Sequence, residues 1–205
     1  MFYAVRNEGF VASQNRVARR MRSLNLRATK RRKWKKTTDS THGRDVVSNV
    51  LNRRFNPSKK NRAWGTDVTF IHTDEGWLHL SVMLDLWSRK VVGWSSSPHN
   101  DTDLALRTLK MAVGQRQPSD GWIHHSDQGS PYASYRYETA LKNAGAIASM
   151  SHRGDCFDNA VAESFFGTMK TELGLKRKRY LSRKEAHDDI VNYICLLYTS
   201  PSPRD

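Results

Sequence analysis

From Leu78 to Leu86 the apolar side chains fall on every second residue: Leu78, Leu80, Val82, Leu84 and Leu86. A period of two held over five apolar positions is strand. Just upstream, Trp64 to Ile71 alternates as well, with Thr66, Val68 and Phe70 on one side and Asp67, Thr69 and Ile71 on the other. Thr73-Asp74-Glu75-Gly76 supplies the turn between them, so the two runs form a hairpin. Asp85 to Lys90 turns the chain again into Val91-Val92-Gly93-Trp94, which predicts a three-stranded antiparallel meander before any helix of the core.

Helical periodicity begins after this meander. Asn100 followed by Asp103 reads as a capping box, and Leu104, Leu106, Leu109, Met111 and Val113 give 101–115 an apolar face. Trp122 and Ile123 end a short buried strand that delivers Asp127 to the polar turn Ser126-Asp127-Gln128-Gly129. Tyr135 to Asn143 is a second helix stopped near Gly145, and Ala146 to Met150 is a fifth strand. Asp158 is placed to cap a helix whose Ala162, Phe166, Met169 and Leu173 form an inward stripe, with Glu163 beside it. Ser182 and Glu185 open a last helix with Ala186, Ile190, Tyr193, Ile194 and Leu197 facing inward. Strands and helices alternate, so the class is α/β.

Three carboxylates stand out against this scaffold: Asp67 on the first strand, Asp127 after the fourth, and Glu163 on the helix 36 positions later. Acids on separate elements suggest a site for a hard, oxygen-seeking cation. For any single Asp at a strand end a turn or surface role is the commoner fate, so only the joint pattern carries the suggestion. Cys156 and Cys195 have no paired-ligand spacing, which argues against structural zinc and leaves both as reduced thiols.

Charge divides the chain unevenly. The net charge of +14 conceals 18 Lys or Arg against 3 acids in residues 1–62, a net of +15, and 16 against 17 in residues 63–205, a net of −1. The positive charge is therefore an arm on a near-neutral core, as nucleic-acid-binding chains arrange it. Within the arm, 16–24 reads as a short helix capped by Ser13 or Asn15, with Val17, Met21 and Leu24 on one face and Arg19 and Arg20 on the other. Lys30, Arg31, Arg32, Lys33, Lys35 and Lys36 then surround Trp34, cations for phosphates beside a ring for a base. Residues 37–61 have little periodicity and read as a linker, and the two prolines of 198–205 end the last helix in a disordered or artefactual tail. Neither an apolar leader nor a membrane-length apolar run is present, which points to the cytoplasm.

Trp64-x-x-Asp67-x-Thr69, Leu84-Asp85-x-x-Ser88-Arg89, His124-x-Ser126-Asp127-x-Gly129-x-x-Tyr132 and Asp158-Asn159-Ala160-x-x-Glu163-Ser164-Phe165-Phe166 occur in this order. Together they resemble the motifs of OrfB-type transposases of bacterial insertion sequences, whose catalytic core is similar to that of retroviral integrases. The likeness spans residues 10 to 195. It implies a ribonuclease-H-like core over 62–197, a mixed five-stranded sheet flanked by helices, with 1–36 as a partial helix-turn-helix arm. It also implies that Asp67, Asp127 and Glu163 are the catalytic acids and hold Mg²⁺ or Mn²⁺, two ions per site. The partners it implies are transposon ends and target DNA, further copies of the chain and a companion reading-frame product, met at the bacterial nucleoid. Compared with that family, the arm begins partway through its motif and the tail departs from the expected basic ending, as in a fragment or a shifted frame.

Other residues keep two readings. Asp85 is a turn residue or a partner of Arg89, and less readily a metal ligand. His124 and His125 are metal ligands or braces of the Asp127 loop, and imidazole suits magnesium poorly. Asn159 orients Glu163, touches DNA or simply starts a helix; Lys170, seven residues after Glu163, meets phosphate or lies in solvent. Transposase leads the functional readings, followed by a metal-dependent nuclease of the same fold and a catalytically silent nucleic-acid-binding protein.

Overall fold

The computed structural model describes Val5 and residues 9–26, 47–152, 155–175 and 177–199, with side chains as far as Cys195 except that of Cys156. The chain divides into two compact units, residues 1–37 and 38–205.

In the first unit, helix α1 spans Gln14–Ser23 and is capped by Ser13, whose hydroxyl accepts from Arg16 N at 3.3 Å. Val17 is buried and Met21 half-buried, while Leu24, expected on the same face, is exposed because it is the residue that caps the helix end. Arg19 and Arg20 face solvent. The cluster Lys30 to Lys36 lies outside the described residues.

The second unit is built on five strands: β1 (Ala63–Thr73), β2 (Gly76–Asp85), β3 (Val91–Ser97), β4 (Trp122–Ser126) and β5 (Ala146–Met150). Their spatial order is β3-β2-β1-β4-β5, antiparallel in the meander and parallel from β1 through β4 to β5. The sheet is mixed and five-stranded, as the alternation predicts, and β1 is its central strand. Helices α2 (Thr102–Arg116) and α3 (Tyr135–Asn143) cover one face, where Trp64, Met83, Val92, Leu109, Trp122 and Tyr137 pack together. Helices α4 (Ala160–Glu172) and α5 (Arg183–Thr199) cover the other, over Ile71, Leu80, Val82 and Leu84. Each fully buried side chain of this size stabilises the fold by about 1.5–3 kcal/mol. α2 lies so close to β3 that a Cβ on Gly93 would stand 2.5 Å from the Thr108 carbonyl, and only glycine fits there.

Several local expectations need correction. The cap of α2 is Asp101, whose carboxylate accepts from Leu104 N at 2.9 Å, one residue later than the Asn100 box. Asp158 does not cap α4: the chain first makes a short 3₁₀ turn, Cys156–Asn159, so the capping position falls on Asn159 and Asp158 is free for long-range bonds. At α5, Ser182 accepts from Glu185 N, but Glu185 reaches back to Leu181 N instead of closing the box on Ser182. The helix continues to Thr199, past the expected boundary at 197; the side chain of Leu197 and residues 200–205 lie outside the described residues.

The expected linker also behaves differently where it is described. Residues 47–61 dock on the core: Leu51 is 1% exposed and packs with Ala63 and Leu86, while the Arg89 guanidinium donates to Phe55 O and Asn56 Oδ1. One buried leucine and a few side-chain hydrogen bonds hold a segment that has no periodicity to reveal it.

Candidate active site

The parallel register of β1 and β4 brings the first two acids together. Ala63, Trp64 and Gly65 pair with Ile123, His124 and His125, and the same offset carried two residues further sets Asp67 level with Asp127. Neighbouring strands lie about 4.8 Å apart and residues at one level share a face. For Asp67 that face is the one under α4, since Asp67 is opposite Val82, which packs with Ala162 and Phe166. Glu163 is in the first turn of α4 and half-buried, and Lys170 returns to the same side two turns later, also half-buried.

The electrostatics report this crowding. Asp67 is pushed up to about 8, first by burial and then by the Asp127 charge, with Glu163 adding to it; Val68 N–H, 2.8 Å from Oδ1, and the Lys170 cation oppose the rise. Burial also raises Glu163 and lowers Lys170, whose one electrostatic neighbour among the described residues is Asp67. Asp127 Oδ1 accepts from Gly129 N at 2.9 Å, and a Cβ on Gly129 would stand at that same distance from the oxygen. The glycine therefore leaves room for the carboxylate.

Two histidines brace these acids. His124 sits on the α3 side at 2.8 Å from Tyr137 Oη, and burial first, then the neighbouring His125, drive it down to about 3, so it is neutral. His125 spans two elements, with Nδ1 2.9 Å from Ser149 Oγ and Nε2 2.9 Å from the Asp158 carbonyl. Because that carbonyl only accepts, Nε2 carries the proton and Nδ1 accepts from Ser149, whose oxygen in turn accepts from Leu51 N at 3.0 Å. These hydrogen bonds tie both rings to neighbouring elements, which supports the bracing role.

The carboxylate of Asp158 was the residue sequence reasoning missed. Its side chain is 1% exposed and accepts from Asn49 Nδ2 (2.9 Å), Arg53 Nε (2.7 Å), His152 N (3.0 Å) and His152 Nδ1 (2.7 Å). Against the burial that raises it, the bonds from His152 and Arg53 hold it well below the ordinary carboxylate range. Arg53 also pairs with Asp155, so residues 49–53 clasp the turn that leads into α4. Asp85 has the turn role: fully buried, it accepts from Asn61 N, Trp87 N, Ser88 N and Ser88 Oγ. Asn159 is 7% exposed and holds the capping position of α4, the reading in which it simply starts the helix.

Among the described residues no three His, Cys, Asp or Glu side chains close on one point as a finished metal cage. The acids fit a hard dication by their chemistry, since all three offer carboxylate oxygen and their repulsion is what a cation relieves.

Residues 57–156 match the family model described as the integrase core domain. Over 190 residues the chain is 38% identical to the insertion element IS600 uncharacterized 31 kDa protein of Shigella sonnei, covering 93% of this chain and 70% of that one. The chain belongs to the insertion-sequence transposase family. It is 39% identical over 190 residues to the transposase InsF for insertion sequence IS3A of Escherichia coli K12, and spans 66% of that relative's length. Solved structures are similar in fold: the HTLV-2 integrase catalytic core domain in complex with magnesium has a TM-score of 0.55 at 16% identity, covering 72% of this chain and 94% of that one. A chain of the simian T-cell lymphotropic virus intasome gives 0.56 at 16% identity, covering 77% and 60%. For a transposase of this kind, the ribonuclease-H-like reading of the mixed sheet holds. No helix among the described residues is long and apolar enough to cross a membrane.

Proposed function

We propose that this chain is the catalytic part of an insertion-sequence DNA transposase, and that Asp67, Asp127 and Glu163 are its catalytic and metal-holding acids. The supporting observation is the crowding that drives Asp67 to about 8 on a central strand level with Asp127 and under the Glu163 helix. Such a group is protonated near neutrality and loses its proton when a cation arrives. Mg²⁺ or Mn²⁺, two ions per site, would activate an oxygen nucleophile and neutralise charge on the departing oxygen. The chain's own residues do the positioning: Asp67 and Asp127 offer oxygens from fixed strands, Glu163 offers one from a partly solvated helix face, and Lys170 meets a phosphate. Arg19, Arg20 and the basic run 30–36 grip the DNA backbone without reading bases. The DNA is the transposon end and then the target, copies of the chain act together on it, a companion reading-frame product joins them, and the reaction takes place in the bacterial cytoplasm.

Labelled duplex carrying candidate element ends, incubated with the protein and Mg²⁺, tests this reading. End cleavage is expected, together with joining of a pre-cleaved 3′ hydroxyl to target DNA, seen as a strand longer than either input. Asp67→Asn, Asp127→Asn and Glu163→Gln each remove both products while DNA stays bound. Shortened fragments with no lengthened strand would place the chain among nucleases of the same fold.

A further inference from the structure

The turn from which α4 starts is held at three points by one side chain. Arg53 Nε donates to Asp158 Oδ1 at 2.7 Å, Nη2 of the same guanidinium pairs with Asp155 Oδ2, and the guanidinium carbon stands 5.9 Å from the centre of the Phe157 ring. Asp155 is the capping residue of the 3₁₀ turn Cys156–Asn159, with its other carboxylate oxygen accepting from Phe157 N at 3.0 Å. Arg53 therefore spans this turn from its cap to the residue before Asn159, where α4 is capped. Glu163 sits in the first turn of that helix.

The backbone behind the guanidinium is unusual too. Asn52 and Arg53 both have positive φ, 44° and 58°. Asparagine enters this left-handed region readily and arginine does not. Such a conformation persists where its surroundings over-determine it. Here Asn49 Oδ1 accepts from Asn52 N at 2.8 Å, Leu51 is buried with its N–H on Ser149 Oγ at 3.0 Å, and Phe55 N donates to Arg53 O at 2.8 Å. The result is a guanidinium fork aimed at the turn. The Arg53 side chain is 51% exposed, and an ion pair at such a site is usually a weak constraint. Asp158 changes that balance, because its carboxylate is 1% exposed and its charge is met by protein donors. A planar guanidinium serves two carboxylates in one fixed geometry, which an ammonium does not.

We propose that Arg53 is a positioning residue for Glu163: its guanidinium fixes the 3₁₀ turn, the turn fixes the start of α4, and the start of α4 sets where the Glu163 carboxylate stands relative to Asp67 and Asp127. This rests on the reading of Glu163 as a metal-holding acid. It adds the residue that puts that acid in place, which lies outside all four sequence motifs and 105 positions before Asp158.

The test is the Mn²⁺ affinity of the full chain, read from the electron paramagnetic resonance signal of the free ion, together with hydrogen exchange in chelator. Glycine suits the left-handed backbone at position 53, so Arg53→Gly removes the side chain without adding strain. This variant is expected to bind Mn²⁺ about tenfold more weakly. Its exchange at residues 164–168, among the first amides bonded within α4, is expected to quicken about tenfold while β1 and β4 stay as protected as in the parent. In Glu163→Gln the same change is expected to alter Mn²⁺ affinity by less than about twofold, because the ligand that Arg53 positions is gone. Arg53→Lys keeps the charge without the fork, gives the same comparison with no glycine added, and is expected to lose at least about threefold in Mn²⁺ affinity. Equal losses with and without Glu163, unchanged exchange at 164–168, uniform acceleration across α4 and the sheet, or undiminished Mn²⁺ affinity in Arg53→Lys each overturn the proposal. A parent that binds no Mn²⁺ defeats the metal-holding reading alone, since exchange in chelator still judges Arg53. A parent that loses Mn²⁺ in Asp127→Asn yet keeps its α4 exchange in Arg53→Gly defeats the role of Arg53 alone.

Discussion

The two sides of the acid site are held by different means. Asp67 and Asp127 are fixed by backbone: Asp67 is paired with Val82 on β2, two residues past the last pair of β1 with β4, and Asp127 directly follows β4 with Gly129 N–H on its carboxylate. Glu163 is reached through residues 151–159, whose described residues contribute no strand, and the turn before it is clasped by His125, Asn49, Arg53 and His152 acting on Asp158. A ladder of main-chain bonds survives loss of any one side chain, whereas a clasp of side chains converging on one residue opens when that residue changes. The site thus joins a rigid pair to an adjustable third acid.

The largest effect expected on the rigid side is from Asp127→Asn, which keeps shape but removes ligand charge and lowers Mg²⁺-dependent end cleavage by about 10³-fold or more. On the other side, Asp158→Ala touches none of the acids. It leaves several donors unmatched, costs about 1–3 kcal/mol of stability and lowers cleavage by about 10- to 100-fold. Hydrogen exchange separates the two cases. Asp158→Ala is expected to speed amide exchange in α4 while leaving β1 and β4 protected, and uniform acceleration across the sheet would erase the contrast.

What was legible in the sequence follows the same division. Period-two alternation in 64–86 and helical stripes in 101–115 and 160–173 are local signals, so the meander and the order of elements could be anticipated, whereas the pairing of β1 with β4 that brings Asp67 to Asp127 is set across about sixty positions. The clasp is made of contacts across about a hundred positions, Arg53 and Asn49 to Asp158, and no spacing rule connects such residues. Asp158 misled because Asp before an apolar stripe is a good capping residue, and the 3₁₀ turn that moves the capping position on to Asn159 has no marker in the sequence. Residues 47–61 were misread for a related reason: a polar segment can be anchored by a single Leu51.

A smaller effect tests the rigid pair through its cost. The folded value of Asp67, about 8, lies above its ordinary 3.8, so between those limits the folded chain binds more protons than the unfolded one. Stability contributed by the protonated form is full below about pH 4 and is lost as pH rises through about 8. Asp67→Asn removes this loss. Because the carboxyl keeps partial contact with water, the expected gain at pH 8 without metal is discounted to about 1–2 kcal/mol, a rise of a few degrees in melting temperature that fades by pH 4. A parent whose melting temperature is flat from pH 4 to 8 would show that the two strand acids are not crowded.

The smallest effect, and the sharpest for the comparison, comes from His125, which responds to pH in the opposite sense. Burial lowers its folded value below the ordinary 6.5, against the stabilising pull of the Asp158 carbonyl and carboxylate. The unfolded chain therefore binds more protons below about pH 6.5, and the stability that neutral His125 contributes is present above that pH and drains away as pH falls. Protonation would put a second N–H on Nδ1, where the ring now accepts from Ser149, and the chain Leu51–Ser149–His125–Asp158 would lose its direction. Acidification from pH 7.5 to 5 thus relieves Asp67 and loosens the Glu163 side within one molecule. Nitrogen-15 shifts of the His125 ring should report the Nε2–H tautomer at pH 7, and α4 exchange should quicken at pH 5 by an amount worth about 1 kcal/mol. His125→Gln, which cannot gain a proton, should abolish that acceleration while keeping the Asp67 trend. Acceleration that persists in His125→Gln would show that His125 is not the sensor and leave the clasp itself in place.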